Sequence, residues 1–197
     1  MKEAWDKRYN SNEYIYGLKP NQFLSTNINT LKPGKILLPG DGEGRNSIYA
    51  AKLGWEVTAF DYSNSGKEKA LKLAESYNLE INYEISDVNN FQTKKSFDVI
   101  SIVFLHLTKE TRIPFHKNLY KFLNPGGKVI LECFSKSQIK NNSGGPKNLD
   151  LLYSIEDIKT DFSEYQIELL EETQVNLDEG PLHQGIANVI RLIARKI

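Results

Sequence analysis

Gly40-Asp41-Gly42-Glu43-Gly44 places three glycines two residues apart, between an apolar run and a stretch of helical spacing. Glycine permits positive φ and leaves room for a ligand to touch backbone. A helix starting just behind offers free amide hydrogens to that ligand. Three glycines exceed what a ligand-free β–α turn requires. A dinucleotide fingerprint runs Gly-x-Gly-x-x-Gly, and here its third glycine falls on Arg45, which weakens a nicotinamide site. Gly-x-Gly-x-Gly instead suits a ligand without a pyrophosphate, such as S-adenosylmethionine. Asp61 ends the next apolar run, where an acid accepts hydrogen bonds from both ribose hydroxyls. Asp87 ends the one after, and Val88 follows it. A carboxylate there accepts from an adenine amino group while Val88 lines the ring. Each acid alone is equally a turn residue; together the three strand ends describe an adenosine site.

Acceptor chemistry has fewer candidates. His106 follows the fourth apolar run in Phe104-Leu105-His106, and His183 sits in the turn Gly180-Pro181-Leu182-His183. Either imidazole is a candidate base, and either is equally a backbone-bonded or solvated histidine. Glu132 lies inside a strand and, if buried, demands a partner. Arg45 and Arg191 have the charge to neutralise an anionic acceptor, but ion pairing or exposure is the simpler expectation for both. Trp5, Tyr9, Tyr14, Tyr16 and Phe23 make the segment before the first strand dense in aromatic rings. Such rings attract an onium ion, and they equally form an apolar flap. The three histidines (106, 116 and 183) lack ligand spacing, so no metal site is expected. The chain contains neither a Gly-x-x-x-x-Gly-Lys-Ser/Thr phosphate loop nor a Gly-x-Ser-x-Gly elbow.

These residues must be carried by alternating strands and helices. Strands are expected at 36–40, 56–61, 81–87, 97–105 and 128–134, with helices at 45–54, from Ser65 through Tyr77, and at 108–123. Ser65 and Glu68 read as a capping box, with Ala70, Leu71, Ala74 and Tyr77 on the buried face. Ser154 and Asp157 start a short helix. The runs 165–177 and 187–197 read as an antiparallel hairpin, and 135–148 is the longest loop. Strand–helix alternation with short turns argues for an open parallel sheet. Ligands then bind beyond the carboxyl ends of the strands, near the switch in strand order. That selects residues 40–46, 61–63, 87–88, 104–106 and 132–136.

At 197 residues the chain is expected to be one domain, 1–197. Lys+Arg and Asp+Glu are 25 each, a balance that gives no reason to expect nucleic acid or an acidic membrane as partner. The single cysteine, Cys133, cannot close an intrachain disulfide and reads as an inert core thiol. With no secretory leader or apolar run of transmembrane length, the expected compartment is a reducing cytoplasm.

ILLPGDGEGRN, Asp61, Asp87, FDVISIVFLHL and LNPGGKVILECF resemble the class I S-adenosylmethionine-dependent methyltransferases over nearly the whole chain. WDKRY, EYIYGLKPNQFL, GEGRN and GPLHQG followed by VIRLIARK are similar to the small tellurite-resistance and thiopurine-type branch. One departure is Leu38-Pro39, where the branch often has an acid two residues before the first glycine. The resemblance implies an α/β, doubly wound, mostly parallel seven-stranded Rossmann-like sheet with a C-terminal antiparallel hairpin. It implies residues 1–30 as an N-terminal lid segment over a core at 31–197. S-adenosyl-L-methionine is the implied cofactor, contacted by Tyr16, Gly40, Asp41, Gly42, Asn46, Asp61, Tyr62, Ser63, Asp87, Val88 and Phe104. The implied reaction moves a methyl group to a small-molecule acceptor, a thiol-like soft nucleophile or a metalloid oxyanion, with His106 and His183 beside it. Two alternatives stay open: a nicotinamide-dependent oxidoreductase, and a non-catalytic S-adenosylmethionine-binding sensor. Oligomeric state is left open.

Overall fold

In the computed structural model, residues 2–197 are described. Two helices, α1 (Lys2–Tyr9) and α2 (Gln22–Ile28), precede the first strand, β1 (Lys35–Pro39). Then come α3 (Arg45–Lys52), β2 (Glu56–Asp61), α4 (Asn64–Ser76), β3 (Asn82–Ile85), β4 (Phe97–Val103), α5 (Lys109–Phe122) and β5 (Leu123–Phe134). The chain ends with α6 (Ile155–Asp161) and the long hairpin β6 (Gln166–Asp178) and β7 (Gln184–Arg195). One sheet holds the seven strands in the order β3-β2-β1-β4-β5-β7-β6. Every pairing is parallel except those of β7, which runs against both β5 and β6. This is the expected mostly parallel sheet with its reversed C-terminal strand.

The sheet is covered on both faces, so its central strands are apolar at successive positions. Side chains alternate faces along a strand. Leu37 therefore joins Phe60, Ile100 and Leu131 in the core cluster beneath α5 and α6. Ile36 and Leu38 join Val57, Ala59 and Ile130 on the other face, beneath α2 and α3. Leu38 is a buried core residue at 2% exposure, so an acid there would have to be paired inside the sheet. Among the described residues no helix is long and apolar enough to cross a membrane.

Several local expectations need correction. Helix α4 is capped by Ser63, whose hydroxyl accepts from the Gly66 amide at 3.1 Å, and not by Ser65. Its buried face is Gly66, Ala70, Leu73 and Ala74, while Leu71 and Tyr77 are exposed. The Lys52 ammonium sits 3.3 Å from the centre of the Tyr77 ring. Pro114 lies inside α5. Strand β5 begins at Leu123, and Pro125-Gly126-Gly127 is taken up as an irregularity between the Phe97–Leu123 and Val99–Lys128 pairs. Helix α6 starts at Ser154 as expected, and Ser154 and Asp157 form a capping box there.

Candidate active site

Strand order changes direction between β1 and β4, and a cavity of about 580 Å³ opens over the carboxyl ends of the strands there. Residues from the loops after β1, β2, β3 and β4 line it, together with α1 and the hairpin turn. Its position follows from topology: the two loops at a switch point leave in opposite directions and part to form a crevice.

The glycine loop forms one wall. Gly40, Gly42 and Gly44 have φ of +65°, +55° and +86°, a region that strains residues with a Cβ. Asp61 is 5% exposed at the end of β2. Its Oδ2 accepts the Gly42 amide at 3.2 Å and its Oδ1 the Ser63 amide at 2.9 Å. Burial pushes the Asp61 carboxyl up to about 6 despite these bonds. Burial likewise pushes Asp41 up to about 7, against hydrogen bonds from the Ser47 hydroxyl and amide. Asp87 lines the cavity beside Val88, with Oδ1 accepting from the Asn89 amide and side chain at 2.9 and 2.8 Å.

Of the eleven expected cofactor contacts, ten line the cavity. Ser63 does not. Its hydroxyl caps α4 and donates to Asp6 Oδ1 at 2.6 Å, and its amide serves Asp61. It is fully buried behind the wall, so its part is to hold Asp61. Asn46 lines the cavity, and its side-chain oxygen accepts the Asn21 amide at 2.9 Å.

The aromatic N-terminal residues separate into two groups. Trp5, Tyr9 and Tyr16 cluster over the cavity, with ring centres 5.4–6.4 Å apart. Tyr14 instead donates to the Lys69 carbonyl at 3.2 Å, and Phe23 is core beneath the Arg191 guanidinium. The cover is anchored by Glu43, which pairs with Lys69 and accepts the Tyr16 amide at 3.3 Å. Lys69 also donates to the carbonyls of Ser11 and Glu13.

On the opposite side, Phe104 stacks on Phe134 with ring centres 4.4 Å apart and meets the His183 ring edge-on at 5.0 Å. Its φ of +49° is a strained value for a side chain this large. His183 also touches the Tyr16 ring at 4.6 Å, so the hairpin turn joins the N-terminal cover. His106 lies parallel to the Phe134 ring at 5.7 Å, and its Nδ1 is buried without a hydrogen-bond partner among the described residues. Burial lowers His106 to about 3 and also lowers His183. Both histidines border one cavity, as neutral imidazoles. Burial disfavours the charged ring, so both lie below the ordinary imidazole value.

A buried ionic network lies behind the cavity. Glu179 Oε2 accepts from Arg45 at 2.8 Å and lies 3.3 Å from His183 Nδ1. Burial alone would raise Glu179; the His183 hydrogen bond and the Arg45 charge outweigh it and bring it to about 2. Asn21 donates to Glu179 Oε1 at 3.1 Å and to Glu132 Oε1 at 2.6 Å, and Arg191 closes on Glu132 Oε2 at 2.6 Å. Arg45, Arg191 and Glu132 are thus ion-paired, the partner that burial of Glu132 demanded.

Tyr153 was not among the expected site residues. Its hydroxyl accepts the Leu107 amide at 2.7 Å and lies 3.1 Å from the Leu105 carbonyl, bracing the loop that carries His106. Arg8 also lines the cavity without having been singled out. Its guanidinium lies 4.4 Å from the Trp5 ring centre and donates to the Tyr16 hydroxyl at 2.9 Å. The only sequence signal for Arg8 was its place among the aromatic residues, and for Tyr153 there was none.

A family model described as tellurite resistance protein TehB matches residues 3–195. A probable S-adenosyl-L-methionine-dependent methyltransferase TehB of Haemophilus influenzae is 28% identical over 165 residues, covering 82% of this chain and 54% of that one. The chain thus spans about half the length of the curated relatives it matches. The crystal structure of TehB from Haemophilus influenzae superposes with a TM-score of 0.75 at 21% identity, over 100% of this chain and 67% of that one. The N-methyltransferase NodS of Bradyrhizobium japonicum, solved with S-adenosyl-l-homocysteine, gives 0.73 at 14% identity, over 99% and 97%. At these identities the two structures show a shared fold.

Proposed function

From the premise that this chain belongs to the TehB tellurite-resistance family, we propose that it is an S-adenosylmethionine-dependent methyltransferase acting on a small soft nucleophile or metalloid oxyanion. The observation that supports this most is Asp61. It is a buried carboxylate at the end of β2, locked to the glycine loop through the Gly42 amide and bordering the cavity. The donor set fits the cofactor. Asp61 presents acceptors for a ribose diol, Asp87 and Val88 present an acceptor and an apolar wall for adenine, and Trp5, Tyr9 and Tyr16 present ring faces for a sulfonium.

When bound, S-adenosylmethionine supplies a methyl group already activated by its positive sulfur. The chain's own tasks are to hold, orient and exclude water. Gly42 and Ser63 fix the Asp61 carboxylate so that it need not reorganise on binding. The Glu43–Lys69 pair ties down the aromatic cover that keeps water out. Tyr153 and the Phe104–Phe134 stack position the loop where the acceptor is placed. Neutral His106 and His183 are shape-giving walls, and a proton at His183 Nδ1 is held toward Glu179. An acceptor already ionised at working pH needs no base from this site.

The nicotinamide alternative loses ground. Arg45 stands where the third fingerprint glycine would be, and its side chain is buried against Glu179. Calorimetry with S-adenosylmethionine, S-adenosylhomocysteine and NAD tests the cofactor. Turnover with a panel of thiols and oxyanions tests the acceptor. Binding of NAD alone would overturn the reading, and S-adenosylmethionine binding without turnover of any acceptor would leave the sensor.

A further inference from the structure

We propose that Arg8 is the specificity-determining residue for the acceptor, selecting small molecules that carry a negative charge over neutral ones of the same nucleophile. The inference rests on the methyltransferase reading above and concerns the acceptor half of the same cavity.

Charge is segregated in this cavity. Its acidic lining residues are Asp41, Glu43, Asp61 and Asp87, from the end of β2 and the loops that follow β1 and β3. The remaining wall, from Val103 to Thr111, Asn142 to Leu151 and Leu182-His183, contributes no carboxylate among the described lining residues. That wall is apolar or neutral: Leu105, Leu107, Leu151 and Leu182 with two uncharged imidazoles. Two lining residues carry permanent positive charge, Arg8 and Arg45. Arg45 is spent on Glu179 at 2.8 Å. Arg8 forms no ion pair among the described residues.

Arg8 is nevertheless held in place. Trp5 lies under its guanidinium and the Tyr16 hydroxyl accepts one of its N–H groups. A guanidinium carries five donors, so most remain for a ligand. Tyr16 in turn touches His183, which connects Arg8 to the acceptor wall. An apolar pocket of this kind offers an anion no other full positive charge. The Arg8 side chain is exposed, so the contact is expected to weaken with salt.

The test separates charge from bracing. Protein saturated with S-adenosylhomocysteine is titrated, by protein-observed NMR, with selenite and with the pair thioglycolate and 2-mercaptoethanol, which share a thiol and differ in charge. Arg8→Gln keeps a donor for Tyr16 and removes the charge. The expected result is a loss of about ten-fold or more in affinity for selenite and thioglycolate, with 2-mercaptoethanol unchanged. Arg8→Lys should recover part of the loss. Equal losses for the charged and neutral thiols would mean that Arg8 only braces the cover, and would overturn the proposal. So would anion affinity that survives Arg8→Gln, or wild-type protein that binds neither anion. S-adenosylhomocysteine affinity, measured on the same samples, reports separately on the underlying reading: its absence in wild type would sink the methyltransferase assignment and this inference together.

Discussion

A Cβ built on Gly42 would lie 2.6 Å from the Tyr9 hydroxyl, so the glycine loop and helix α1 pack with no spare atom between them. The hydroxyl of Tyr83 reaches the same residue from below, donating to the Gly42 carbonyl at 2.6 Å. Gly42→Ala must therefore strain a φ of +55° and push Tyr9 aside. Stability should fall by about 1–3 kcal/mol. Cleavage in the N-terminal segment under limited proteolysis should speed up more than global unfolding does. A variant whose α1 is protected as well as wild type would show that loop and cover are not coupled.

Asp61→Ala should weaken S-adenosylhomocysteine about ten-fold to a hundred-fold, because hydrogen bonds to a charged group contribute about 1.5–3 kcal/mol. The fold should survive, as measured by circular dichroism. A pH dependence accompanies it. The folded carboxyl sits at about 6, above its ordinary 3.8. Its contribution to stability is therefore full below the ordinary value and is lost as pH rises through about 6. Ligand affinity runs the other way, rising through the same window as the carboxylate forms. Calorimetry from pH 5 to 7.5 should show the rise in wild type and a flatter curve in Asp61→Asn.

Glu179→Gln leaves the buried Arg45 guanidinium without its carboxylate. Breaking a buried pair on one side costs about 3–5 kcal/mol, so a large drop in melting temperature is expected at neutral pH. Glu179 sits at about 2 in the fold, below its ordinary 4.5. Its stabilisation is present above 4.5 and is lost as pH falls through about 2. Acid titration of stability should therefore be shallower in Glu179→Gln than in wild type. Parallel curves would mean that the pair contributes nothing net.

The histidines give a kinetic prediction. Burial holds His106 at about 3, so it should produce no rate limb centred on pH 6–7, and any limb from His183 should lie below the ordinary imidazole value. His106→Asn should leave the profile between pH 6 and 8 unchanged in shape. His183→Ala removes a ring shared by Tyr16, Phe104 and Phe134. It should lower turnover about ten-fold while changing cofactor affinity less. A limb near pH 6.5 that vanishes in either variant would restore a histidine base.

The sequence by itself determined what depends on near neighbours. The glycine loop, the acid that ends β2, the acid two residues past the end of β3 and the helix start at Ser154 are set by spacing within a few residues, where strand alternation and capping geometry act directly. Parallel crossovers then leave little choice about which ends of the strands face the crevice. Tertiary structure decided the rest. Ser63 rather than Ser65 caps α4 because Asp61 and Asp6, 57 residues away from Ser63, fix its amide and hydroxyl. Glu179 meets Arg45 across 134 residues, and Asn21 meets Glu132 across 111. Tyr153 reaches Leu107 across 46. No periodicity encodes such pairs; they form because burying each charge or amide without a partner would be costly. The same closure set the electrostatics, since it is burial among Phe104, Phe134 and Tyr16 that keeps His183 neutral and leaves Arg8 as the cavity's unpaired cation among the described residues.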